Sequence, residues 1–233
     1  MIIGNKLYYF DTISSTNDYA KTLLYEAPEG TVVLADEQTD ARGRHGTSWY
    51  SPPGGLWMSV LLQPEKTTLL SIAAGVAVCS SLHTFGITPG LKWPNDIIMN
   101  RKKIGGILTE IVDNNVIVGI GVNLNIRSFP QDLRDIASSV FLQTKKHLDK
   151  KMVFDLVCRE FDEYYGMLKQ NQDRDILSKW RDYTVLLGQQ VTIQAGDATV
   201  AGKVLDIGLN GALIVMRSDG QIEHVSTGVC HLH

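Results

Sequence analysis

Residues 97–122 read Ile97-Ile-Met-Asn-Arg-Lys-Lys-Ile-Gly-Gly-Ile-Leu-Thr-Glu-Ile-Val-Asp-Asn-Asn-Val-Ile-Val-Gly-Ile-Gly-Val122. Three strand-like runs, 97–99, 106–112 and 116–122, succeed one another here, and no apolar spacing of three or four comes between them to suggest a helix. Toward the N terminus, further strand-like runs lie at 7–10, 31–35 and 56–62. The segment 67–91 has no Asp, Glu, Lys or Arg, but Ser71, Ser80, Ser81, His83, Gly86 and Pro89 break it. That leaves too little apolar length to cross a bilayer, and residues 69–84 predict a buried helix instead. Several strands with few helices between them predict an α+β domain built on a mixed sheet.

The flanking segments fill in the plan. Ser14-Ser-Thr-Asn17 precedes Tyr19, Ala20, Leu23 and Leu24 at the spacing of one helix face, and Ser and Thr make good N-caps. Val153, Phe154, Leu156, Val157, Phe161, Tyr164 and Leu168 mark a helix over 152–168, and 176–183 reads as another. From Leu187 the texture changes to short strands at 191–193, 198–204, 212–215 and 221–225, punctuated by Gly196-Asp197, Asn210-Gly211 and Asp219-Gly220. Such hairpins predict a small β-barrel, with a domain boundary near Val185: 1–185 and 186–233.

Composition narrows the function. The 233 residues are 44% hydrophobic and 20% charged, with a net charge of −3, a globular balance that gives no reason to expect nucleic acid or an anionic membrane as partner. Cys79, Cys158 and Cys230 are odd in number and far apart, which argues against a disulfide framework and places the protein in a reducing cytoplasm. Met1-Ile-Ile-Gly-Asn-Lys6 has no basic stretch leading into an apolar run, so no signal peptide is expected. None of the six histidines has metal-ligand spacing, and His231 and His233 are expected in a frayed terminus. With no GxSxG elbow and no recognisable Cys–His arrangement, covalent catalysis has no candidate.

Four stretches carry chemistry. Asp40-Ala-Arg-Gly-Arg-His-Gly46 sets Arg42 and Arg44 among glycines beside Trp49, suited to a phosphate or carboxylate; a solvated hairpin, or a Gly/Arg loop binding RNA, would use similar residues. Lys92-Trp-Pro-Asn-Asp96 excludes a regular helix at Pro94 and puts Asn95 and Asp96 just before a strand, more than a tight turn alone needs. Lys102-Lys-Ile-Gly-Gly106 offers a cation at the mouth of a strand beginning with glycines, or simply solvated lysines. Gly119-Ile-Gly-Val-Asn-Leu-Asn-Ile-Arg127 holds GxG but not GxGxxG, so no dinucleotide fingerprint is present.

In this order, Ser15-Thr-Asn17, residues 38–46, Lys92-Trp-Pro-Asn-Asp96, Lys103-Ile-Gly-Gly106 and residues 119–123 resemble the biotin protein ligase family, over nearly the whole chain. Ala41 and His45 depart from the family's common GRGRRG, and Gly105 stands where many members carry alanine. The resemblance implies a mixed-sheet catalytic domain of the class II synthetase-like biotin/lipoate ligase type, followed by an SH3-like barrel. It implies that Ser15, Thr16, Asn17 and Gln38 hold biotin, while Arg42, Gly43, Arg44 and Lys103 meet its carboxylate and the phosphate. Asn95, Asn123 and Arg127 would face the nucleotide, and Trp49 would close the site. Ser15 lies too near Met1 to leave room for the winged-helix module of family repressors, so DNA binding is not expected.

The expected reaction joins biotin and ATP to give biotinyl-AMP, then passes the biotinyl group to a lysine of a biotin carboxyl carrier protein. Two anions must meet, so Arg42, Arg44, Lys103 and a magnesium ion on the phosphates supply positive charge. Asp96 is the candidate to orient or deprotonate the carrier amine. Arg42 and Arg44 are expected to repel one another until an anion lies between them, leaving residues 39–49 mobile without ligand. A homodimer is expected, paired through glycine-rich sheet edges. The alternatives are a lipoate or octanoyl transferase and a noncatalytic biotin-sensing or nucleic-acid-binding module.

Overall fold

In a computed structural model of the chain, residues 1–64, 67 and 69–233 are described. Strand β1 (Leu7–Ile13) leads through helix α1 (Thr16–Thr22) to β2 (Val32–Gln38), and the two strands pair in parallel. After β3 (Leu56–Leu62) comes the 15-residue helix α2 (Leu70–Thr84), then β4 (Gly90–Lys92), β5 (Asp96–Met99), β6 (Lys102–Val112) and β7 (Asn115–Val122). Seven strands form one mixed sheet in the order β1-β2-β3-β7-β6-β5-β4, antiparallel everywhere except at the β1–β2 edge.

Strand alternation divides this sheet into two functions. One face of β3 and β7 carries Leu56, Met58, Val60, Leu62, Val116, Val118, Ile120 and Val122, in one buried cluster with α2. Helix α2 is apolar on nearly every side, as a helix enclosed by other elements must be; it packs against β6, α4 (Lys150–Lys169) and α5 (Asp173–Tyr183). On the opposite face α1 and the turn after it cover only one end, through Ala20, Leu23 and Leu24 on Val33, Leu61 and Ile117. Beyond it that face turns to Gly119, Gly121 and Gly106, register partners or near neighbours across β7 and β6. Without side chains, these glycines leave a floor on which other residues lie.

After α3 (Val140–Thr144) and the two long helices, β8 (Gln190–Ala195), β9 (Ala198–Ile207), β10 (Leu213–Met216), β11 (Ile222–Val225) and β12 (Val229–Leu232) form a separate antiparallel sheet in the order β11-β10-β9-β8-β12. Gly196 and Gly220 adopt φ of 62° and 85° in its hairpins, a conformation that favours glycine. Its inner residues Val191, Ile193, Val204, Leu213, Val215 and Cys230 join the same buried cluster as α2 and β3. One core therefore serves both sheets.

Several expectations need correction. His231 is not frayed: β12 pairs it with Thr192, a long-range register that no local pattern reveals. The glycine-rich strands β6 and β7 are interior, and the sheet's edges are β1 and β4. Lys103 lies inside β6 rather than before it. Strands β4 and β12 and helix α3 were not anticipated, each being five residues or fewer. Among the described residues no helix is long and apolar enough to cross a membrane.

Candidate active site

Over the glycine floor opens a cavity of about 470 Å³. Of the residues singled out from sequence, Ser15, Thr16, Asn17, Gln38, Arg42, Gly43, Arg44, Trp49, Asn95, Asp96 and Lys103 line it. Asn123 and Arg127 do not. Asn123 donates from Nδ2 to the Ser138 carbonyl at 2.9 Å, while its buried Oδ1 has no hydrogen-bond partner, and the Arg127 guanidinium sits 5.1 Å over the Phe141 ring.

The inner end is polar, with Ser15, Thr16 and Asn17 buried. Ser15 caps α1, its hydroxyl accepting from the Asp18 N–H at 3.2 Å. The Thr16 N–H donates to Gln38 Oε1 at 2.8 Å, and Gln38 Nε2 donates to Ser51 at 3.1 Å. Ser59 Oγ, on β3, lies 2.7 Å from Thr16 Oγ1 and 2.5 Å from Asn17 Oδ1. Asn17 Nδ2 donates to Glu110 Oε2 at 2.7 Å, Lys21 bridges Glu110 and Asp18 at 2.9 Å each, and Asp18 holds Arg42 at 2.5 Å. Burial works against the Lys21 charge, yet its hydrogen bonds to Asp18 and Glu110 outweigh that and raise its pKa. Asn17 lies directly on the floor: a Cβ at Gly119 would come within 2.4 Å of its Oδ1.

At the outer end, the loop bends at His45 with φ 57° and is tied by Gly43 N–H to Thr47 O at 2.7 Å and Trp49 N–H to Ala41 O at 2.9 Å. Its two arginines do not confront each other. Arg42 takes Asp18 and Asp40, whereas Arg44 crosses to the second sheet, donating to the Gly228 carbonyl at 3.0 Å. The expected repulsion is thus relieved by separate partners. Burial lowers the Arg44 pKa, so a ligand anion there would favour its charged form. Lys103 pairs with Asp96 at 2.5 Å and stands 5.0 Å over the Trp49 ring. Trp49 Nε1 is buried without a hydrogen-bond partner, against Gly121.

Sequence reasoning missed Asp18 and Glu110 in the inner wall, Lys21 and Ser59 bonded behind it, and Val229 and Cys230 in the outer wall. For Glu110 a signal existed: counting by twos along β6 from Gly106 gives Leu108 and Glu110 on the cavity face. All three cysteines are unpaired and buried. Burial raises the Cys158 thiol to about 12 and Cys230 to about 11, and Cys79 higher still. Among the described residues no three His, Cys, Asp or Glu side chains cluster as a metal site.

A buried polar end, a cationic end, and no activated nucleophile define a site for an elongated ligand, polar at one tip and anionic at the other. Comparison with known proteins gives it a lineage. Residues 9–126 match the Biotin/lipoate A/B protein ligase family and residues 186–232 the Biotin protein ligase C terminal domain. The chain belongs to the biotin/lipoate A/B protein ligase family. Within that family it is 37% identical to the bifunctional ligase/repressor BirA of Bacillus spizizenii, over 94% of this chain and 72% of that protein. It is 30% identical to the biotin–[acetyl-CoA-carboxylase] ligase of Paracoccus denitrificans, over 89% and 92%. The biotin protein ligase of Aquifex aeolicus, solved in complex with biotin and ATP, superposes with a TM-score of 0.90 at 30% identity, covering 98% of this chain and 99% of that one.

Proposed function

We infer that this chain is a biotin protein ligase that couples biotin to ATP as biotinyl-AMP and then passes the biotinyl group to a lysine of a biotin carboxyl carrier protein. The observation that carries the reading is the polarity of the cavity: a neutral wall at buried Thr16 and half-buried Gln38, and Arg44 and Lys103 at the far end. Ser15, Thr16, Asn17 and Gln38 take the ureido ring, and the floor of Gly106, Gly119 and Gly121 takes the fused rings. Arg42, Gly43, Arg44 and Lys103 meet the carboxylate and the α-phosphate, with Trp49 packed over them. Asn95, Asn123 with its unspent Oδ1, and Arg127 are assigned to the nucleotide. A magnesium ion on its phosphates would add positive charge against the developing anion.

In the first step a biotin carboxylate oxygen attacks the α-phosphorus and pyrophosphate leaves. Cations fixed around the developing charge are worth on the order of a hundredfold to a thousandfold each. An anion that draws Lys103 away also frees Asp96, which can then orient the carrier amine for attack on the anhydride carbonyl as AMP departs. No residue is acylated, consistent with three buried, weakly acidic thiols. The protein divides into a catalytic domain, 1–185, and a C-terminal barrel, 186–233, whose Gly228 carbonyl steadies Arg44. A cytoplasmic setting suits the unpaired cysteines. Exposed Leu7 and Tyr9 on edge strand β1 support self-association as a homodimer through that edge; sedimentation of Tyr9→Lys against wild type tests it.

The deciding experiment incubates the protein with ATP, a carrier domain, and radiolabelled biotin or lipoate. Label should reach the carrier from biotin only. Transfer of lipoate, or biotin binding without transfer, would overturn the reading in favour of a lipoate ligase or a sensor.

A further inference from the structure

We propose that Glu110 is a positioning residue: through Asn17 and Ser59 it fixes the direction of hydrogen bonding at Thr16, leaving the Thr16 hydroxyl oxygen free to accept from a ligand N–H. The proposal rests on the reading that the cavity takes biotin, whose ureido ring has two N–H groups.

Counting protons gives the argument. A carboxylate only accepts, so the amide nitrogen of Asn17 must face Glu110 Oε2, at 2.7 Å. Asn17 Oδ1 is then turned to Ser59 Oγ at 2.5 Å. Ser59 has a single proton, and because Oδ1 has none to give, that proton goes to Asn17. The Ser59 proton is thus kept from the Thr16 oxygen 2.7 Å away, and the Thr16 hydroxyl donates to Gln38 Oε1 at 3.0 Å. Gln38 Oε1 keeps the Thr16 backbone N–H at 2.8 Å. The Thr16 oxygen, on the cavity wall, has a lone pair to spare.

Remove the acceptor at 110 and nothing holds the Asn17 amide in that sense. Turned over, it would donate to Ser59, and the Ser59 proton would pass to the Thr16 oxygen and occupy a lone pair there, while the Thr16 proton stays on Gln38 Oε1. The ligand N–H would then compete with Ser59 for the Thr16 oxygen. Glu110 is itself steered, because Lys21 occupies Oε1 at 2.9 Å and leaves Oε2 for Asn17. Ser59 and Thr16 are 0% and 3% exposed, so water cannot readily replace a misdirected proton.

The test compares steady-state kinetics of Glu110→Leu, Glu110→Gln, Thr16→Val and Glu110→Leu combined with Thr16→Val. Glu110→Leu should raise the biotin KM by about tenfold or more, the size expected for one misdirected buried hydrogen bond, with kcat and the ATP KM within about twofold. Glu110→Gln keeps one acceptor oxygen, which serves Asn17 while Lys21 keeps Asp18, and should stay within about threefold of wild type. The double variant should lose no more than Thr16→Val alone, since both act through one atom. Should Glu110→Leu fail to fold, the smaller Glu110→Ala likewise lacks an acceptor and should show the same selective rise in biotin KM.

A Glu110 that only pairs with Lys21 would predict the reverse: equal losses in the Gln and Leu variants, and additivity with Thr16→Val. Either result, or an unchanged biotin KM in Glu110→Leu, overturns the proposal. Wild-type protein that does not use biotin would instead defeat the functional reading, so the two failures are distinguishable.

Discussion

The two ends of the cavity solve recognition differently. At Thr16 the frame is finished in advance: Thr16, Asn17 and Ser59 are buried and bonded to one another and to Gln38 and Glu110. At the loop, Arg42 and Lys103 are already engaged, by Asp18 and Asp96, and a ligand anion must displace protein carboxylates to reach them. Neutral recognition is thus a matter of fixed geometry, and charged recognition a matter of exchanging partners. The inner wall should govern affinity for biotin, and the outer wall the rate of the chemistry.

Lys103→Ala should break the outer end most severely, slowing biotin-dependent pyrophosphate exchange by about a hundredfold or more while biotin binding changes little. Exchange within about threefold of wild type would make Lys103 a structural partner of Asp96. At the inner end, Gly119→Ala pushes a Cβ to 2.4 Å from Asn17 Oδ1, and calorimetry should find biotin affinity weakened roughly tenfold with ATP affinity kept. Loss of both together would mean the floor supports the whole fold rather than one end. The loop's exchange of partners gives a smaller, physical signature: tryptic cutting after Arg42 and Arg44 should slow several-fold once biotin and ATP together order residues 39–49. Equal cutting with and without ligands would show the loop to be closed from the start.

The smallest effect lies away from the cavity. Glu29 is partly buried, which alone would raise its pKa, but hydrogen bonds from Tyr165 and Lys169 and from the Gln63 N–H lower it. A carboxyl group held below its unfolded value stabilises the fold above that value, and the stabilisation fades as pH falls through the folded one. Melting temperature should therefore drop between roughly pH 5 and pH 3, and Glu29→Gln should flatten that slope while leaving biotin KM untouched.

Much of this was legible in the sequence because the informative patterns are local. Leu56–Leu62 reads as a strand and is one, Ser15 caps the helix it precedes, and the charge-free segment becomes α2. What escaped depends on partners far along the chain. Glu110 meets Asn17 across 93 positions and Arg44 meets Gly228 across 184, and β12 exists only because β8 pairs with it. The shared core was hidden for the same reason. Composition shows a change of texture at Leu187, but only packing shows Val191 and Leu213 joining the cluster around α2, so cutting the chain there should weaken both ligands' binding together.

Cys230 stands in the cavity wall beside the outer end, where an acyl anhydride would be held. Such an anhydride acylates any good nucleophile within reach, the enzyme included. With its thiol raised by burial to about 11, only roughly one molecule in ten thousand carries the reactive thiolate at neutral pH. The same burial that packs the barrel against the catalytic sheet thereby protects the ligase from self-labelling, and it keeps a sulfur at the mouth of the site from becoming a point of poisoning by electrophiles or oxidants.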